Sequence, residues 1–88
     1  MSTQAMANVD SASFGKGAEG EKCFELGLMY STGNFMPADM VAAHKWFNIA
    51  AMRGNSEAAR LRREIASEMS EAQIAAAQRA ARVWLTRH

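Results

Sequence analysis

The chain has 88 residues, 49% of them hydrophobic and 22% charged, with a formal net charge of +1. That length holds one small domain, and the composition argues against a wholly disordered chain. A charge so near zero points by itself to no polyanion partner, although it is unevenly placed: residues 1–44 carry −3 and residues 45–88 carry +4.

Residues 1–17, rich in Ser, Ala and Gly without a helical period, read as a flexible N-terminal tail. From Ala18 to Thr32 the pattern turns helical. Cys23, Leu26, Gly27 and Tyr30 recur at the i, i+3, i+4, i+7 spacing of one helix face. Glu19, Glu21 and Glu25 crowd its start, where acids suit the positive end of the helix dipole. Gly33 and Asn34 tolerate left-handed backbone and should end it. Phe35, Met36, Pro37 and Ala38 form the connection, with Pro37 pushing Met36 toward extended geometry. Asp39 is the expected N-cap of a second helix, which runs to about Arg53 and is closed by Gly54. Its apolar stripe is Ala43, Trp46, Phe47, Ala50 and Ala51.

Ser56 is the expected cap of a third helix, with Ala58, Leu61, Ile65 and Met69 on one side. Ser70 and Gln73 fit a capping box at the start of a fourth, in which each side chain serves the other's free N–H. Ile74, Ala77, Ala81, Trp84 and Leu85 then trace an apolar face, with Gln78, Arg79 and Arg82 off it. The expected fold is all-α, with short connections folding the helices into two antiparallel hairpins.

Small Gly27 lies beside Leu26 and Tyr30, and small Ala43 and Ala50 lie beside Trp46 and Phe47. The first two helices should therefore approach closely where Gly27 faces an alanine, with aromatics filling the flanks. In detail these residues resemble the Sel-one-like repeat, a branch of the tetratricopeptide class. The matching positions are Leu26-Gly27-Leu28-Met29-Tyr30, then Gly33, Asp39, Ala43, Trp46-Phe47, Ala50-Ala51 and Gly54. Phe35 and Met36 depart from the usual glycine–valine link, and Lys22 stands where a small residue is expected. A second repeat begins at Gly54 and Ala58 and breaks where Arg62 and Arg63 replace its leucine and glycine. The domain then spans 18–88, with 18–54 the repeat and 55–88 a degenerate repeat or cap.

The resemblance implies a short right-handed tetratricopeptide-like stack. It also implies a protein–protein interaction module, an adaptor or scaffold, that takes a peptide or protein segment in a helical groove. Carried over by position, the groove residues are Glu21, Phe24, Leu28 and Ser31 on the first helix, and Glu57, Arg60, Glu64 and Ser67 on the third. Phe24 and Leu28 would supply apolar contact, and Arg60 would pair an acidic group on the partner. Such repeats bury their faces against neighbours, and about three are normally needed for stability. The fourth helix is therefore expected to act as a cap, with weak homo-oligomerisation the alternative.

Other chemistry is thinner. Cys23 and His44 suggest a nucleophile–base pair, but no orienting acid or oxyanion donor accompanies them. The competing reading is a small buried thiol and a surface imidazole. Ser13 and Lys16 formally fit the S-x-x-K of serine enzymes that react with penicillins, without the companion motifs. One cysteine and two histidines at no ligand spacing predict no metal site; neither a cofactor nor catalysis is expected. The rival binding reading is nucleic acid, through Arg60, Arg62, Arg63, Arg79, Arg82 and Arg87. Against it, Glu57, Glu64, Glu68 and Glu71 interleave with those arginines, as on a solvated face with ion pairs. A purely structural or self-associating helical protein is the remaining alternative. A lone Cys23, no secretory-signal pattern and no run of ~18 apolar residues lead us to expect a cytoplasmic protein without a membrane partner.

Overall fold

The starts of the second, third and fourth helices and the end of the second each have a local chemical cause. The computed structural model describes residues 18–34 and 36–87; the expected tail, the Ser13 to Lys16 segment and Phe35 lie outside them. Helix α1 covers residues 18–32, α2 Met40–Met52, α3 Ser56–Ala66 and α4 Glu71–Arg87. Among the described residues there is no strand.

Asp39 caps α2 as the sequence predicts, with its Oδ1 accepting the Ala42 N–H at 3.0 Å. The capping box of α4 also forms. Gln73 N–H donates to Ser70 Oγ at 3.1 Å, and Ser70 N–H donates to Gln73 Oε1 at 2.9 Å. Two donors that the helix cannot pair are thereby satisfied. For α3 the expected cap moves by one residue. Asn55 is extended and its Oδ1 accepts the Ala58 N–H at 2.9 Å, while Ser56 is already helical. The end of α2 explains the shift. Gly54 takes a φ of +98°, its N–H donates to Ala51 O, and Asn55 N–H donates to Ala50 O, both at 3.0 Å. These paired bonds are a Schellman end, which a left-handed glycine permits, and they deliver Asn55 in the extended backbone that an N-cap needs. Helix α3 stops at Ala66, so Met69, expected on its apolar side, lies in the following turn, half-buried. Between α1 and α2 the Asp39 N–H donates to Tyr30 O at 2.9 Å and ties the connection to the end of α1.

The helices form a compact all-α domain in which neighbours pack on one another, and α2 is the hub. It packs along both α3 and α4 and meets α1 at Gly27. The buried set is made mostly of small residues: Cys23, Ala43, Ala50, Ala58, Ala77 and Ala81. Phe47 and Ile49 are the only large side chains fully buried among the described residues. Alanine at so many contacts lets backbones approach closely, and larger side chains then form a half-buried rim. Phe24, Leu28, Tyr30, Trp46, Leu61, Ile65, Trp84 and Leu85 make up that rim. Trp46 and Trp84 meet edge-to-face at 5.6 Å and 75°, a favoured aromatic geometry, and so link α2 to α4.

The close approach at Gly27 is real, but its partner is not an alanine. A Cβ at Gly27 would lie 2.5 Å from both Cδ1 and Cε1 of Phe47. The missing side chain makes room for a ring, not for a second small residue. Gly27→Ala should therefore lower stability by about 1–3 kcal/mol, the usual cost of overpacking, although alanine is the better helix former by about 1 kcal/mol. Urea unfolding measures this, and unchanged or increased stability would show that the Phe47 ring has room to retreat.

Candidate functional site

The residues expected to line a groove fall into two sets. On α1, Phe24 and Leu28 lie one turn apart, both half-buried against the core. The Phe24 ring sits 5.9 Å from that of Phe47, tilted by 46°. Ser31 is half-buried and its hydroxyl donates to Leu28 O at 3.1 Å, a bond within the helix that takes up its donor. Glu21 is exposed at the other end of this row.

On α3, Glu57, Arg60, Glu64 and Ser67 are all exposed. Arg60 is held on both sides by its own helix: it bonds Glu57, and its Nη1 meets Glu64 Oε2 at 2.5 Å. The Arg60 hydrogen bond holds the Glu57 carboxyl below its ordinary pKa, and the same contact raises that of the guanidinium. An acidic partner at Arg60 would have to displace two carboxylates already in place. Ser67 Oγ likewise donates to Glu64 O at 2.6 Å. Among the described residues no hydrogen bond or ion pair joins the α1 set to the α3 set.

A concavity lies elsewhere, between the start of α1 and the end of α2. It has a volume of about 590 Å³ and is lined by Glu21, Lys22, Glu25, Arg53, Gly54 and Asn55, among others. Glu21 is the one sequence-predicted residue it contains. Arg53, one of its lining residues, pairs through Nε with Glu19 Oε1 at 2.8 Å, a contact that bridges the two helices. That pair joins positions far apart in the chain, and neither residue has a spacing signal that marks it in the sequence.

Cys23 is buried, as the structural reading expects, but His44 is not the surface imidazole of that reading. It is only 3% exposed and its Nδ1 has no hydrogen-bond partner. The α2 turn that carries Ala43 and Phe47 inward takes His44 with it. Burial first, then the Arg62 charge, lowers the His44 pKa from its ordinary 6.5. Arg62 itself reaches across from α3, with Nη1 donating to Asn48 Oδ1 at 2.6 Å. Burial, then Glu19, raises the Cys23 thiol, against the opposing pull of Arg53 and Lys45. A thiolate–imidazolium pair requires both shifts reversed, and the two groups respond to different neighbours. Among the described residues no group of three His, Cys, Asp or Glu could hold a metal ion, and no helix is long and apolar enough to cross a membrane.

No protein-family model matches the chain. Comparison with curated proteins and with solved structures likewise finds no match.

The His44 environment has a measurable consequence. Its folded pKa lies below the unfolded 6.5, so the unfolded chain takes up the proton first. Stability present above pH 6.5 is therefore lost as pH falls, by up to about 1.4 kcal/mol per pH unit until the folded group itself titrates. Urea unfolding of the wild type and of His44→Leu across that range should show the slope in the first and its loss in the second. Equal slopes would mean that other groups carry the acid limb.

Proposed function

We propose that this protein is a protein–protein interaction module of the Sel-one-like, tetratricopeptide-like kind, working by binding a protein segment rather than by catalysis. The contacts of Gly20 with Arg53 and of Gly27 with Phe47 run in opposite chain directions, which favours an antiparallel hairpin for the repeat at 18–54. In this reading α3 and α4 form a second, degenerate pair that closes the stack.

The observation that carries the binding role is the row on α1. Phe24 and Leu28 each place one side on the core and leave the other open, beside exposed Glu21. A partly exposed apolar pair on a rigid helix, next to a charge, is the usual anchor for a docked peptide. Glu21, Phe24, Leu28 and Ser31 form the primary surface, and Arg60 with Glu64 a secondary one, because the existing carboxylate contacts must be exchanged first. Phe24 also supports Phe47, so truncating it would confuse binding with folding. A photo-cross-linking residue placed at Leu28 or at Glu21 avoids that problem. Both positions should capture the same protein from native lysate, while the same group at exposed Glu68, in the turn before α4, should not. Equal capture from all three positions would remove this surface from consideration.

A further inference from the structure

The first and last helices carry opposite net charge, and their exposed side-chain patterns match. On α4, Ala75, Arg79, Arg82 and Val83 share the face turned away from buried Ala77 and Ala81. Arg79 and Arg82 are exposed, and Val83, one turn beyond Arg79, is 51% exposed, one of two large apolar side chains so open among the described residues. No acid follows Glu71 in α4, so neither arginine has a carboxylate one helical turn away. Arg60, by contrast, has two. Among the described residues Arg79 and Arg82 make no ion pair. On α1, the stripe clear of the core holds Glu21, Glu25 and half-buried Met29, with Lys22 at its border. Neither carboxylate has an ion-pair partner among the described residues.

We infer that the outer face of α4 docks on the outer face of α1 of a second copy of this chain. Laid antiparallel, Glu25 meets Arg79 and Glu21 meets Arg82, since each pair of residues spans about one turn of its helix. The same alignment brings Met29 onto Ala75, where a small side chain lets the helices approach. The occupant suits a protein surface better than nucleic acid. Val83 and Ala75 offer apolar contact that a phosphate backbone does not use, and Glu71 at the start of α4 repels a polyanion lying along the helix. The two faces differ and lie on different helices, so the contact is heterologous, and copies add head to tail without closing as a two-fold dimer. Few residues are involved, so the association is weak and salt-sensitive. The inference shares Glu21 with the proposed peptide surface but uses neither Phe24 nor Leu28, and it does not rest on that reading.

Sedimentation velocity from micromolar to millimolar concentration, at low and high salt, tests it. The wild type should grow past dimer at low salt and return toward monomer at high salt. Arg79→Glu, Arg82→Glu and, separately, Glu25→Arg should each raise the concentration needed by about tenfold or more, which is the combined weight of such exposed pairs. Mixing Arg79→Glu with Glu25→Arg should restore association, because these two reversals complement one another while Arg82 and Glu21 keep their signs. Circular dichroism melts should not change, since all three positions are exposed. A wild type that stays monomeric at low salt, association that survives charge reversal, or a mixture that fails to recover would each overturn the proposal. So would a duplex oligonucleotide that α4 binds at concentrations where self-association is absent.

Discussion

The fit of the Phe47 ring against the bare backbone of Gly27 governs the rest of the structure. Phe47 is one of two large side chains fully buried among the described residues, and it occupies the space that any side chain at Gly27 would take. This contact sets the distance between α1 and α2. Helices α3 and α4 then pack on α2, so its position propagates through the domain. The remaining buried contacts are mainly alanine, and alanine reaches across an interface only when the backbones are already close. A gap at Phe47 would leave those contacts unmade, because no long side chain stands behind them to fill it.

What the sequence made legible was largely local. Asp39 and the Ser70–Gln73 box could be read because a cap acts within one turn of itself. The extent of α1 and the apolar face of α4 followed from period alone, whereas the stripe read for α2 omitted Ile49, which is fully buried. The readings that needed correction all depended on a neighbouring element. Asn55 takes the cap in place of Ser56 because the Gly54 turn presents it first. His44 lies off the predicted apolar stripe of α2, yet it is buried because α2 has neighbours on more than one side. A helix wheel cannot count those neighbours. The partner of Gly27 is likewise a matter of helix rotation, which spacing leaves open.

The candidate surfaces show the same division. The positions of Phe24 and Leu28 on a single half-buried row could be anticipated, since they flank the buried face of their own helix. The state of Arg60 is less visible, although Glu57 and Glu64 stand at ion-pair spacing from it in the sequence. A basic side chain named as a partner contact was already satisfied internally, whereas Arg79 and Arg82, read as the polar side of a cap, have no carboxylate nearby. Counting charges by residue type treats these arginines alike. Counting their local acids separates them. The cross-helix pair of Arg53 with Glu19 has no such local signal and emerges only once α1 lies against α2.

The alanine interior also bears on how this domain can change over time. Each buried alanine sits at essentially zero exposure, so enlarging one would push a helix off α2, and shrinking it further offers only glycine. Inherited variation is thereby directed outward, to the rim and the exposed helix faces, where substitutions leave the frame intact. Descendants of such a chain would keep their skeleton and exchange their surfaces, and their kinship would be easier to see in the positions of small residues than in overall similarity.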